Sequence, residues 1–466
     1  MSVQAQPTTT AEENVSPSPP TISFQPSTDV RLNYRNPVES FSATAFVSGF
    51  LGSNGRGKRH REEGHVDVEG PVKGPCRDLN EHFSIDSKLS AGVYGTVFKG
   101  RRLADGSDFA LKQISDSWVK ESQVGFPPYL LREFDLLQRL RHPNIAHATE
   151  VLTCPKADNA LCHDLYVAMH YCGTDLKNYL YHPKTPYVHL SSRNTHPDAP
   201  RNFVSRVKRI VMEVLKGVAF LHEHNILHRD LKTSNILING RGEIRLCDFG
   251  LGRFYREGQP LTLNVVTLVY RAPELHFLMR DYNGAVDVWS VGCILGELLL
   301  KRPLFRAEEE LSHFQCVCDV LGVPTDETFP GFLWLEGARV LMPKLANYNR
   351  KSRLREVFSE SSYRGASMVT DSALDLLDRM LKWNPKDRIS AAEALSHSFF
   401  TEEPLPCDLI ELTYQMPFAF GTDVAQEAAQ EVDSEIASTA LANGGVKSPN
   451  GARQSLLKHS ASEEAE

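Results

Sequence analysis

The run His228-Arg229-Asp230-Leu231-Lys232-Thr233-Ser234-Asn235 holds side chains that a phosphoryl transfer needs. Asp230 is a carboxylate able to orient an attacking hydroxyl and accept its proton. Lys232 can neutralise charge that develops on the transferred group. Asn235 offers a hard oxygen, and thirteen residues later Asp248-Phe249-Gly250 offers another through Asp248. Oxygens of this kind suit Mg²⁺ lying across phosphates. The two segments bracket a predicted hairpin, 236–238 and 243–246, so the two metal ligands come from its opposite ends. A lone Asp-Phe-Gly recurs by chance. The ordered set, completed by Ala272-Pro273-Glu274, is specific.

Upstream, Ser90-Ala91-Gly92-Val93-Tyr94-Gly95-Thr96-Val97 fits a phosphate-covering loop of the form GxGxxGxV in all but its first glycine, where Ser90 stands. Gly92 and Gly95 would let backbone N–H groups approach the phosphates closely. Lys112, in Phe109-Ala110-Leu111-Lys112, falls on the next strand, where a lysine for the α- and β-phosphates belongs. Glu133 is its expected ion-pair partner. It lies on a helix opened by Pro127-Pro128, with Leu130, Phe134, Leu137 and Leu140 along one face.

Positioning these groups requires a strand-rich lobe followed by a helix-rich one. Strand signals begin at Phe83 and recur through Ile85, Val97, Phe98 and Phe109. Val204, Val207, Val211, Val214, Val218 and Leu221 mark the strongest helix, and from about Leu268 the pattern is mostly helical. Between the two lies 181–202, polar and proline-containing, which reads as an inserted loop. Its His182, His189 and His196 lack an acidic or cysteine ligand, so they read as loop residues rather than a metal site. Residues 1–82 are rich in Ser, Thr, Pro and Glu and are expected to be a disordered arm. Within it, the basic cluster 58–61 is compatible with nuclear import, and a solvated charge run reads equally well. Residues 401–466 form a second expected disordered segment, acidic at its end, with one weak amphipathic pattern over 424–436.

The 466-residue length and 41% hydrophobic content allow a large core. The longest apolar stretch, 288–300, is broken by Ser290 and Glu297 and is too short to span a bilayer. The N-terminus shows no secretory pattern. Nine cysteines without a CxxC pair read as free thiols in a reducing compartment. A net charge of −7 gives no general attraction to nucleic acid or membrane.

Over 83–400 these segments resemble the protein kinases, and within them the cyclin-dependent kinases. The stretch Gly125-Phe126-Pro127-Pro128-Tyr129-Leu130-Leu131-Arg132-Glu133 is similar to the cyclin-binding helix of the PITSLRE branch. His228–Asn235, Val265-Val266-Thr267-Leu268, Tyr270–Glu274, Asp287–Gly292 and Leu321–Pro324 resemble the same group. The resemblance implies an α+β, bilobal protein kinase fold, with a small antiparallel β-sheet lobe over 83–171 and a larger helical lobe over 172–400. It implies serine/threonine kinase activity with ATP and Mg²⁺, a cyclin and protein substrates as partners, nuclear or cytoplasmic residence, and no direct contact with nucleic acid or membrane. Leu89, Ser90, Gly92, Gly95, Val97, Ala110, Lys112, Glu133, Met169, Tyr171, Cys172 and Asp175 would line the nucleotide site. Met169 would be the gatekeeper and His170-Tyr171-Cys172 the hinge. Arg388 would pair with Glu274. Thr262 would be an activating phosphorylation site, received by Arg132, Arg229 and Arg253, and Tyr94 an inhibitory one. Proline would follow the target Ser or Thr. The ion pair of Glu133 with Lys112 would form only when a partner swings the helix in. This chain departs from the pattern at Ser90, at Pro128-Tyr129-Leu130, at Gly252 for an alanine and at Val269 for a tryptophan. A catalytically dead scaffold is disfavoured because Lys112, Glu133, Asp230, Lys232, Asn235 and Asp248 are all present. The mitogen-activated branch is disfavoured because its Thr-x-Tyr is Thr262-Leu263-Asn264 here.

Overall fold

The computed structural model describes residues 77–92, 95–114, 128–155, 163–181, 199–263, 265–345, 348, 351–359, 362–363, 366–367 and 369–413. The readings at 58–61 and 424–436, Tyr94, His182, His189, His196 and Asn264 lie outside the described residues.

The first lobe is a six-stranded sheet in the order β1-β5-β6-β4-β3-β2. Its strands are β1 (Arg77–Asp78), β2 (Phe83–Gly92), β3 (Gly95–Arg102), β4 (Asp108–Ile114), β5 (Ala148–Pro155) and β6 (His163–His170). Order begins before Phe83, where the first strand was expected. The short β1 pairs in parallel with β5, and helix α1 (Leu79–His82) follows it, capped by the Asp78 side chain on the Asn80 N–H. Leu79 is the reason: its side chain is buried with Phe83, Phe109, Leu111, Leu152, Tyr166 and Ala168 on one face of the sheet. Alternation along β4 then turns Ala110 and Lys112 to the other face. Helix α2 (Pro128–Arg139) packs there, starting at the expected proline.

The second lobe holds β7 (Thr174–Asp175), α3 (Leu176–Tyr181), α4 (Ala199–Glu223), β8 (Ile226–Leu227), β9 (Ile236–Ile238), β10 (Ile244–Leu246) and β11 (Arg253–Phe254). Then come α5 (Pro273–His276), α6 (Ala285–Leu300), α7 (Glu310–Leu321), α8 (Glu336–Leu341), α9 (Leu354–Ser359), α10 (Asp371–Met380), α11 (Ala391–Leu395) and α12 (Leu409–Thr413). The valine row of α4 is buried as its period requires. Each such side chain contributes roughly 1.5–3 kcal/mol by leaving water. The two ends of the expected 181–202 loop are helical instead. Tyr181 closes α3 and its hydroxyl donates to Glu297, while 199–202 is the first turn of α4, where a proline costs no hydrogen bond.

The apolar stretch 288–300 falls in α6, buried on every side at the centre of the lobe. No helix among the described residues is long and apolar enough to cross a membrane. Its two polar interruptions are satisfied. Ser290 donates to the Tyr270 carbonyl at 2.9 Å, and Glu297 accepts from Tyr270 at 2.6 Å and Tyr181 at 2.7 Å. Arg388 and Glu274 form a bidentate pair at 2.7 and 3.0 Å with both side chains fully buried. The chain also remains ordered past residue 400: Leu412 is buried, and Ser205 and Arg209 of α4 donate to the carbonyls of Leu405 and Cys407. All seven cysteines among the described residues are free.

Candidate active site

Between the lobes, cross-strand pairing sets one face of the sheet over the cleft. Val97 is opposite Lys112, and Ala110 is opposite Met169, so these four share that face. Leu89 is the extra residue of a bulge between Lys88 and Ser90, and Ser90 pairs with Val97. Gly92 and Gly95 close the hairpin as a pair. Gly95 has φ +140°, and a Cβ there would lie 2.0 Å from the Gln113 carbonyl oxygen. Its glycine is therefore required by the close approach of β4, whatever the loop binds.

Lys112 Nζ meets Glu133 Oε1 at 2.5 Å, the two side chains 13% and 3% exposed. Burial opposes charge on the lysine, but Glu133 and Asp248 outweigh it, so its pKa is raised and it stays cationic. The pair is closed in this structure, and Phe134, Leu136, Leu137 and Leu140 bury the inner face of α2 in the main core.

The hinge leaves β6 at His170. The Tyr171 N–H reaches the Asp108 carbonyl at 3.4 Å, and Cys172 takes no part in the strand pairing. Burial pushes the Cys172 thiol up to about 11, so it remains a neutral thiol. Asp175 has a structural task that was not foreseen. Its two oxygens accept from the backbone N–H and side-chain amide of Asn178, at 2.8 and 2.9 Å, fixing the start of α3.

On the floor of the cleft, every neighbour of the Asp230 carboxylate is a donor. Oδ1 accepts from the Thr267 N–H at 3.1 Å and hydroxyl at 2.7 Å, and Oδ2 accepts from Lys232 Nζ at 2.8 Å and Asn235 Nδ2 at 3.2 Å. Asn235 Nδ2 also donates to the Asp230 carbonyl, at 2.8 Å. Its amide is thereby oriented, and its Oδ1 makes no hydrogen bond among the described residues. The Asp248 carboxylate, half-buried, accepts none there either. An oriented amide oxygen and an unspent carboxylate of this kind fit a divalent cation such as Mg²⁺. The β9–β10 hairpin sets them apart at its two ends, with the Cys247 N–H on the Asn235 carbonyl at 3.0 Å.

Three positioning residues had no role assigned from the sequence. Asp287, buried in α6, accepts the backbone N–H groups of His228 and Arg229 at 3.0 and 2.8 Å, and thereby clamps the loop. His228 accepts the Asp230 N–H on Nδ1 and donates from Nε2 to the Cys247 carbonyl at 3.0 Å, which links the loop to Asp248. Thr267 is the third. Each was visible as part of a motif, but no spacing rule says which loop its side chain will reach.

Arg229, Asp248 and Val266 all have left-handed backbone, with φ of 62°, 64° and 67°. Such conformations are costly for residues with a Cβ and persist where surroundings enforce them. At Val266 the enforcement is Arg271, whose Nε and Nη2 donate to the Val266 carbonyl at 3.3 and 3.0 Å.

Arg229 also donates to the Thr262 hydroxyl at 3.0 Å and to the Leu251 carbonyl and Tyr282 hydroxyl. β11 pairs Arg253 with Leu227, next to this loop. Arg132 feels both of the other arginines: its pKa is lowered by partial burial first, then by Arg253 and Arg229. The three guanidiniums thus converge, and none has a carboxylate partner among the described residues. Gly252 fits the same packing. A Cβ there would stand 2.8 Å from Leu136 Cδ1 and 3.0 Å from the Phe249 carbonyl oxygen, so α2 occupies the space of the expected alanine methyl.

The sequence profile of the protein kinase domain matches residues 83–400. Cyclin-dependent kinase G-1 of Oryza sativa subsp. indica is 39% identical over 71% of this chain and 44% of its own length. Cyclin-dependent kinase 11B of Rattus norvegicus is 33% identical over 72% of this chain and 70% of its own. The chain spans less than half the length of the rice relatives it matches. Among solved structures, a chain of the yeast RNA Pol II CTD kinase CTDK-1 complex is similar at 27% identity. Its TM-score is 0.58, and the match covers 74% of this chain and all of that one.

Proposed function

The chain belongs to the protein kinase family, within the cyclin-dependent kinases, and from that premise we propose that it is a serine/threonine kinase. It transfers the γ-phosphoryl of ATP to a Ser or Thr that proline follows, with a cyclin as partner. The observation that carries the reading is the Asp230 carboxylate held by four donors, Asn235 among them, with Lys112 close enough to Asp248 to be held cationic by it.

Lys112, aligned by Glu133, holds the phosphates. Hinge backbone at Tyr171 and Cys172 holds the adenine, and Met169 and Ala110 limit the space above it. Asn235 Oδ1 and the Asp248 carboxylate would hold Mg²⁺, which supplies charge neutralisation across the phosphate oxygens. Asp230 turns the substrate hydroxyl toward the phosphorus and takes its proton. Lys232, 2.8 Å from Asp230, stabilises the charge that builds on the moving group.

Proline preference follows from Val266. Its carbonyl, turned away by the left-handed φ and engaged by Arg271, is not free to accept the N–H of the residue after the target. An ordinary residue there leaves a donor unpaired, and proline has none to leave. The full chain with its cyclin, given ATP, Mg²⁺ and a degenerate peptide library, should label peptides carrying Ser-Pro or Thr-Pro. Absence of any transfer would favour the scaffold reading, and transfer without regard to the next residue would remove the proline assignment. Because Glu133 lies on the helix similar to a cyclin-binding helix, the chain without cyclin is expected to be nearly inactive, and cyclin to raise kcat strongly. Full activity of the purified chain with no partner added would contradict this.

A further inference from the structure

Behind the Val266 subsite lies a chain of side chains that the reaction as described does not use. Arg271 holds the Val266 carbonyl with two of its nitrogens, and its third, Nη1, reaches Glu310 Oε1 on α7 at 3.4 Å. That carboxylate is 55% exposed, and left to itself would turn freely in water. It is held from behind by His276, whose Nδ1 lies 3.1 Å from the same oxygen. His276 Nε2 in turn lies 3.0 Å from Nδ1 of His313. The rings are buried, 3% and 0% exposed, between Phe305 and Phe314.

The carboxylate fixes the protons. It accepts, so His276 must carry hydrogen on Nδ1, and its Nε2 then accepts from Nδ1–H of His313. Burial holds both rings neutral, pushing His313 down to about 3. His313 Nε2 is buried beside the Val269 backbone without a well-formed hydrogen bond. Two polar rings in an apolar setting, one with a nitrogen lacking a well-formed hydrogen bond, are costly as mere packing. Leucines of similar volume would fill the space without that cost.

We propose that His276 and His313 are positioning residues for the subsite that receives the residue after the target Ser or Thr. They anchor Glu310, Glu310 steadies Arg271, and Arg271 keeps the Val266 carbonyl out of reach. This rests on the proline-directed reading above. Loosening the chain lets Val266 relax toward ordinary backbone, where its carbonyl can accept an N–H, so peptides without proline gain.

The measurement is kcat/KM of the full chain with its cyclin on a Ser-Pro peptide and on the matching Ser-Ala peptide. His276→Leu should lower the Pro/Ala ratio by roughly two- to fivefold, the scale of a partly exposed ion pair. Glu310→Ala removes the exposed end of the chain without disturbing the core, and should lower the ratio equally. The double variant should do no more than either single one. His276→Asn, which keeps an N–H near the Nδ1 position, should restore the ratio. A wild-type ratio near one would sink the proline-directed reading itself. A high wild-type ratio that stays unchanged in Glu310→Ala and in folded His276→Leu would overturn the positioning role alone.

Discussion

Asp230→Asn is expected to lower kcat by about 10²–10⁴-fold, the span usually carried by one general base. Affinity for ATP should stay near wild type, because no nucleotide contact is assigned to this side chain. The neighbours of Asp230 make the test sharp. Thr267 N–H, Thr267 hydroxyl, Lys232 Nζ and Asn235 Nδ2 all donate to its two oxygens. An asparagine can keep only one oxygen, so its NH₂ must face donors on the other side. The substitution removes the base and also one anchor of Lys232 or Thr267. Rapid-quench measurement of the transfer step, beside nucleotide titration of the same variant, separates the two effects. Turnover within tenfold of wild type would refute the assignment of Asp230.

Thr262→Ala should lower the activity of the cyclin-bound chain by about 10²-fold, with a thermal midpoint near wild type. The exposed Thr262 hydroxyl accepts from Arg229, while partial burial and then the charges of Arg253 and Arg229 depress the Arg132 pKa. Three guanidiniums from α2, the catalytic loop and β11 repel one another until an anion joins them. A phosphate on Thr262 adds about two negative charges and accepts charge-assisted hydrogen bonds from all three segments. The alternative, that each arginine serves a carboxylate of its own, has no support among the described residues: Arg229 bonds only to a hydroxyl, a phenol and a carbonyl. Stability should hold because Tyr282 still binds the Thr262 carbonyl at 2.6 Å. The activity of the variant, compared with the wild type before and after phosphatase treatment, decides the matter. If the variant transfers as fast as the phosphorylated wild type, the arginine cluster has another purpose.

The departures from the family pattern separate into those the structure explains and those it does not. Gly252 has a reason in Leu136, whereas nothing in the described residues explains Val269. Ser90, exposed at the edge of β2, has no explanation in the described residues.

Much of this protein was legible in its sequence, for a physical reason. The hairpin 236–246, the valine row of α4, the proline that opens α2 and the pairs Lys112–Glu133 and Arg388–Glu274 depend on local periodicity or on motifs whose chemistry demands fixed residue types. What stayed hidden depends on distance in sequence. Leu79 looked like part of a polar arm until the sheet supplied a pocket for it, and residues 401–413 looked like tail until α4 supplied donors for the Leu405 and Cys407 carbonyls. Asp287 lies 58 residues from the Arg229 N–H it clamps, and His276 lies 37 from His313. How α2 packs was hidden as well, because its burial against the main core is a sum over many weak contacts. The sequence by itself singled out the groups proposed to do the chemistry, since phosphoryl transfer leaves few residue types to choose from. Tertiary structure alone decided what holds them: the left-handed turn at Val266, the donors around Asp230 and the meeting of three arginines come from segments that only packing brings together.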